Sequence, residues 1–313
     1  MPDLILKQGV TTLDNKLLAP AGAVLSAELM AGIISSGKSR RAGHFSRTAS
    51  LAGYGTLKKD IAEFICEAPY NTIFSGAGST SGLFECMKKI RLAAPLLETL
   101  DYFKEGDFYS YRHFLMVFAL STRIAKEFTP DFQRLLQLSA AGPVHDIGKA
   151  CVPLDIIKKT APLTKQERSI LDGHAAAGYV LLSYYLGDPD CLACRVARDH
   201  HERRDGTGYP RGIRLDDILV EIIAVCDVYD ALLSARPYRP VCYDNRTALE
   251  EITKMAEKGS VRWEVVRALV ALNRDAKPHY SMTEISIDKR GVSPPGNLYG
   301  LIADNGKGRR RKN

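Results

Sequence analysis

HHERRDGTGYP, residues 200–210, is the stretch from which the rest of this chain is best read. Neighbouring side chains normally point in different directions. Two adjacent imidazoles followed by an acid, a glycine-rich turn and Tyr209-Pro210 are therefore hard to account for by packing alone. A bend that converges the rings of His200 and His201 needs an object between them. A transition metal is the commonest such object, since neutral imidazole is its most frequent protein ligand. The chain holds seven histidines. His113, His145 and His174 lie in contexts that look built to hold them, while His44 and His279 are left without a role.

Working outward, His113, Val117, Leu120 and Ile124 recur at helical spacing, which puts His113 on an apolar helix face. Thr164 and Glu167 form a capping box that starts a helix. Along it Ile170, Leu171, His174, Leu181 and Leu182 make one inward stripe. Ile223, Asp227, Asp230 and Ser234 share one side of another helix, and a carboxylate among so many apolar residues is costly unless it is paired or ligates a metal. VHDIGK, residues 144–149, sets an imidazole and a carboxylate side by side, with Lys149 near enough to face the same pocket. One carboxylate has two oxygens and can bridge two cations. A single histidine on an apolar helix face is ordinarily a core residue. Five histidines and two aspartates in this order are not explained that way.

VHDIGK, HHERRDGTGYP and CDVYDALLSARPYR (226–239), with VPLDIIKKTAPLTKQE (152–167) between them, resemble the HD-GYP family, a bacterial branch of the HD metal-dependent phosphohydrolases. The resemblance runs from about Asp107 to Leu272. It implies a mainly α chain whose catalytic domain is an HD-type helical bundle. It also implies two divalent transition metals, iron or manganese first and zinc, nickel or cobalt next, and hydrolysis of cyclic di-GMP or a related cyclic dinucleotide. Carried over residue by residue, the ligands are His113, His145, Asp146, His174, His200, His201 and Asp227. Asp146 bridges. His145, Asp227 and His113 hold one metal, and His174, His200 and His201 the other. Lys149, Tyr209, Arg236 and Arg239 match substrate-contacting positions, and Asp230 sits where a polar substrate contact is expected. Asp146 and Lys149 are the catalytic pair.

Two departures stand out. Tyr109 occupies the place, four residues before His113, where some members carry a Glu for a third metal, so a binuclear centre is expected. Pro143 precedes the His-Asp pair and should kink or end its helix.

The chemistry follows from the residues too. Two cations roughly 3.5–4 Å apart can hold a hydroxide whose parent water has its pKa lowered toward about 7, and they offset phosphate charge during in-line attack. Lys149 is placed to stabilise that charge or to help protonate the departing ribose oxygen. Arg236 and Arg239 offer forked donors, Tyr209 a hydroxyl or stacking face, and Gly206 and Gly208 a close backbone approach to a ligand. Three classes stay open: a cyclic di-GMP phosphodiesterase giving linear pGpG and GMP, a hydrolase of another cyclic nucleotide such as cyclic GMP-AMP, and a binding module without turnover. The intact ligand set argues against the third.

Residues 1–95 read as a small regulatory or interaction domain of mixed α/β or α content, with a helix near Ala27–Ile34 and polar, glycine-rich loops at 36–55 and 71–82. Residues 96–275 are the catalytic domain, including two helices within 248–272. Residues 276–313 are an extension, with an extended or strand-like return to the body and a basic, disordered tail. The net charge of +7 is mostly that tail, since Lys307, Arg309, Arg310, Arg311 and Lys312 supply five charges. The body is near neutral and does not demand a polyanionic partner. Hydrophobic content of 45% with no membrane-length apolar run or secretory leader reads as a cytoplasmic protein. Room is left for protein partners through the N-terminal domain and for a homodimer. Seven cysteines are expected reduced. Cys191-x-x-Cys194 reads as structural thiols rather than a redox pair or half a zinc site. No second CxxC or strand-loop-helix context accompanies it.

Overall fold

The segment around His113 is apolar nearly all round, and a helix of that kind has to be buried on every side. In the computed structural model it forms Phe108–Ala125, the central helix of the protein. Helices Ala94–Gly106, Phe132–Ala141 and Ile218–Leu233 pack against it. A second centre is the helix His174–Leu186, which packs on Leu192–Asp199, on Ala27–Ser36 and on the turn Ile147–Cys151. The structure describes residues 4–76, 78–235, 239, 241–286, 288–295 and 302–303. Among these the architecture is mainly helical, with two short antiparallel strand pairs, Val10–Thr11 with Leu17–Ala19 and Thr48–Ser50 with Arg91–Ala93. No helix among the described residues is long and apolar enough to cross a membrane.

The N-terminal residues share the core of the helical bundle. One continuous cluster of buried side chains runs from Leu4 and Leu6 through Ile61, Tyr70 and Leu83 to Leu269 and Leu272. Helices Leu57–Phe64 and Ser79–Lys89 lie on the His113 helix, so no gap in packing marks a boundary near residue 95. The two expected N-terminal loops are corrected. Residues 36–55 hold a short helix at Lys38–Ala42 and the strand Thr48–Ser50, and 71–82 carry the end of helix Tyr70–Ile73 and the start of Ser79–Lys89. Phe45 and Leu51, buried among otherwise polar neighbours, are what hold the first of these in place.

One helix boundary also differs from expectation. Thr164 and Glu167 do form the reciprocal capping box, but the helix they open is Lys165–Asp172. Gly173 ends it by donating its N–H to carbonyls of the last turn, and His174 begins a separate helix. Helices Asn245–Glu257 and Trp263–Leu272 match the two expected there. A short 3-10 turn, Tyr280–Met282, precedes the segment expected to return to the body, where residues 283–286 and 288–294 form no helix, Arg290 and Gly291 donate their N–H groups to Glu250, and Ile302 bridges to Leu163. The basic tail lies outside the described residues.

Candidate metal centre

Five chain segments bring the chemistry-bearing side chains together. His113 projects from the middle of the central helix. Pro143 sits in the 3-10 turn Gly142–Val144 directly after helix Phe132–Ala141, so the proline ends the helix before His145 and Asp146. The turn Ile147–Cys151 then presses against the His174 helix. A Cβ on Gly148 would lie 1.9 Å from the carbonyl oxygen of His174, so only glycine lets the two segments meet this closely. His200 closes helix Leu192–Asp199 and His201 follows it. Asp227 comes from helix Ile218–Leu233, whose N-terminus is capped by Asp217 through the Leu219 N–H.

The side chains meet in two sets of potential donors. In one, Asp146, His174, His200 and His201 offer ligand atoms within 4.8 Å of one another, and in the other His113, His145, Asp146 and Asp227 do the same. Asp146 belongs to both. Its Oδ1 lies 2.9 Å from His174 Nε2 and 3.5 Å from His200 Nε2. Its Oδ2 lies 3.4 Å from His145 Nε2 and 3.8 Å from His113 Nε2. His113 Nε2 is 3.0 Å from Asp227 Oδ1, and His201 Nε2 is 3.0 Å from His174 Nε2.

Backbone carbonyls set the direction of three rings. Nδ1 of His145, His174 and His200 lies 2.7, 2.6 and 2.9 Å from the carbonyl oxygens of Gly142, Leu171 and Val196. A carbonyl can only accept, so each Nδ1 carries the proton and each Nε2 turns a lone pair into the cluster. This is the arrangement found behind metal-bound histidines. His113 is oriented by a carboxylate instead. Its Nδ1 is 2.6 Å from Asp230 Oδ2, and the other oxygen of Asp230 accepts from the Tyr70 hydroxyl at 2.6 Å.

The residues fit divalent cations. His145 Nε2 and Asp146 Oδ1 are buried without a hydrogen-bond partner, although His174 Nε2 comes close to that oxygen. Buried polar atoms are ordinarily satisfied, and here both face the other donors. Burial alone would raise the Asp146 carboxyl, but Lys149, His145 and His174 hold it well below the usual carboxylate range. Burial opposes ionisation of Asp227 as well, and the hydrogen bond and charge of His113 override it. Burial, with His200 and His174 alongside, pushes His201 well below the ordinary imidazole value. Ionised carboxylates and an uncharged imidazole are what a cation requires.

Beside this cluster opens a cavity of about 350 Å³ whose lining includes Lys149, His174, His201, Tyr209 and Asp227. Lys149 donates through Nζ to Asp146 Oδ2. Tyr209 stacks on His201, with ring centroids 4.5 Å apart and planes 20° off parallel. Alongside Asp107 and Asp172, the cavity is also lined by Lys159, Arg168 and Arg203. These three, and Tyr70, are residues that sequence reasoning did not pick out.

Several expected substrate contacts are placed differently. Asp230 is fully buried and both its oxygens are engaged, so it orients His113 instead of meeting a ligand. Arg239 lines the cavity, yet it is 3% exposed, and one Nη caps the Asp227 helix by donating to the carbonyls of Ala231, Leu232 and Ser234. Arg236 lies outside the described residues. Gly208 lies against the backbone of His201 and Glu202, where a Cβ would come within 2.3 Å of the His201 carbonyl oxygen. Its missing side chain is required by the loop's own fold. Glu202 holds that loop by accepting the N–H groups of Arg211 and Ile213.

Residues 108–261 match the family model described as HD domain. The chain is 36% identical over 191 residues to a cyclic di-GMP phosphodiesterase of Thermotoga maritima, covering 59% of this chain and 50% of that protein. It is 38% identical over 175 residues to a cyclic di-GMP phosphodiesterase of Pseudomonas aeruginosa, covering 53% and 40%. It is 34% identical over 160 residues to a 3'3'-cGAMP-specific phosphodiesterase of Vibrio cholerae, covering 50% and 35%. The chain thus spans half or less of the length of these relatives.

Proposed function

Given that residues 108–261 form an HD domain, here with the HHERRDGTGYP string of the HD-GYP branch, we propose that the protein is a metal-dependent phosphodiesterase that opens cyclic di-GMP to linear pGpG and then GMP. The observation that carries this reading is the pair of four-residue donor sets sharing Asp146 beside a cavity lined by Lys149 and Tyr209. Asp146, His174, His200 and His201 would hold one divalent cation, and His113, His145, Asp146 and Asp227 a second. Nitrogen-rich donor sets with a shared carboxylate would suit iron or manganese, and also zinc, nickel or cobalt. Bound there, the cations supply positive charge for phosphate oxygens and acidify a water.

The chain's own residues do the rest. Carbonyl-anchored imidazoles keep the donor atoms aimed without reorganisation. Lys149 stands between Asp146 and the cavity, where its ammonium offsets charge on a phosphate or delivers a proton to the departing ribose oxygen. Tyr209, held against His201, presents a face for a guanine base, and Arg168 and Arg203, which line the same cavity, are the proposed partners of the second phosphate. The likeness to a cGAMP-specific enzyme supports a second reading, in which the substrate is cyclic GMP-AMP. The test is to incubate manganese- or iron-loaded protein with both cyclic dinucleotides and follow linear products by chromatography. Product from cyclic di-GMP at the higher kcat/KM is expected. Faster opening of cyclic GMP-AMP selects the second reading, and no product from either leaves only a binding module.

A further inference from the structure

His113 differs from its neighbours in what fixes its ring, and the difference leads away from the cavity to the N-terminal segments. Asp230, whose Oδ2 lies 2.6 Å from His113 Nδ1, is fully buried. A buried carboxylate is costly without a compensating charge. Among the described residues Arg112 is the only arginine or lysine within 4 Å of it, with Nη1 3.6 Å from Asp230 Oδ1. The same nitrogen lies 3.3 Å from the Ser234 hydroxyl at the end of the Asp230 helix. Neighbours on a helix point about 100° apart, so Arg112 meets His113 through Asp230 rather than directly. The guanidinium is gripped from its other side as well. Nη2 pairs with Glu67 Oε2 at 2.9 Å, and Cζ stands 5.3 and 5.4 Å from the rings of Phe64 and Tyr70. Phe64 ends helix Leu57–Phe64 and Tyr70 begins helix Tyr70–Ile73. Glu67 is half exposed, and its pair adds little to stability by itself. Together with the two rings it limits where the guanidinium can sit. None of Glu67, Tyr70, Arg112 and Asp230 lines the cavity.

We infer that Arg112 is a positioning residue for one of the two metals alone, and that residues 64–70 act on the centre through it. The inference rests on the two-cation reading above. Arg112 and Tyr70 pin the Oδ1 edge of Asp230. Its Oδ2 then stays on His113 Nδ1, and His113 Nε2 stays turned toward Asp146 and Asp227. The other donor set is anchored differently. His174 and His200 take their direction from backbone carbonyls, which a side chain on the central helix does not move. The His113 set is therefore the adjustable one of the pair. Displacing residues 64–70 loosens His113, while the His174 set keeps its ion.

The experiment titrates manganese into the full chain after stripping with a chelator, and follows free manganese by electron paramagnetic resonance. Wild type should take up two ions. Arg112→Met should hold the first with unchanged affinity and the second about 10-fold more weakly. Arg112→Lys, which returns a charge, should recover part of that loss. Added to His201→Ala, which spoils the other donor set, Arg112→Met should still weaken the remaining ion. Added to Asp227→Ala, which spoils the His113 set, it should change nothing. Glu67→Gln should give the same selective loss in smaller measure, and it carries the test if circular dichroism shows Arg112→Met unfolded. Wild-type affinity for both ions in Arg112→Met or in Glu67→Gln would overturn the inference and leave the two-cation reading standing. So would an undiminished effect of Arg112→Met in the Asp227→Ala background. Fewer than two ions on wild type would instead sink the two-cation reading, and the inference with it.

Discussion

At the scale of single residues, Asp146 has the most demanding role, because its two oxygens face different sets of histidines. Asp146→Ala should lose both metals together and bring turnover below detection. Metal analysis paired with an assay of linear product checks this, and full activity would refute the bridging role. Lys149 contacts Asp146 but belongs to neither donor set. Lys149→Ala should retain metal while kcat falls by about 100-fold or more, and loss of metal there would mean its role is structural. Tyr70 reaches the centre only through Asp230 and His113. Removing its hydroxyl in Tyr70→Phe should weaken metal affinity about 10-fold, read by competition with a chelator, with the fold intact by circular dichroism. Unchanged affinity would show that Asp230 holds His113 without help.

At the scale of elements, the precision of the centre rests on how closely the His-Asp turn lies on the His174 helix. Gly148 sets that spacing, with the His174 carbonyl and the Gly178 backbone directly over its Cα. Gly148→Ala should destabilise the protein by about 1–3 kcal/mol through overpacking and lower its metal content. Thermal unfolding and metal analysis test both, and a variant with wild-type stability and metal would show that the turn can shift. Secondary structure around the site was largely legible in the residues. The His113 and Asp227 helices follow from apolar periodicity, and the proline stop before His145 follows from the ring's lost N–H. The break at Gly173 was not legible. Ile170, Leu171 and His174 continue one stripe across it, and periodicity alone does not register a helix that ends and restarts without changing face. The segment 36–55 was misread for the opposite reason. Its local composition is polar, and the two side chains that anchor it, Phe45 and Leu51, act through distant packing partners.

For the whole molecule, the core is continuous from the N-terminal segments to the last helices. A chain begun at residue 96 should therefore expose apolar surface on the His113 helix and fail to fold as a soluble, metal-binding unit. Size-exclusion chromatography and metal content of that truncation give the answer, and a monodisperse, metal-loaded fragment would show that the bundle is self-sufficient. Metal removal should act on the entire fold as well. The proposed cations bind only the assembled site, and such linkage reaches about 4 kcal/mol when free metal exceeds Kd 1,000-fold. Stripping with a chelator should thus lower Tm, and readdition of manganese should restore it.

What the sequence by itself determined is the chemistry. Imidazoles and carboxylates are residue types that few other roles explain at this density, and helical spacing was enough to turn His113 and Asp227 inward. What only the tertiary structure decided is the direction and partner of each group. Asp230 lies one helical turn from Asp227, so spacing alone left it facing either a ligand or another side chain. It faces His113, and its second oxygen is held by a tyrosine 160 positions away in the chain. Contacts of that kind come from the packing of whole helices, which local sequence does not encode.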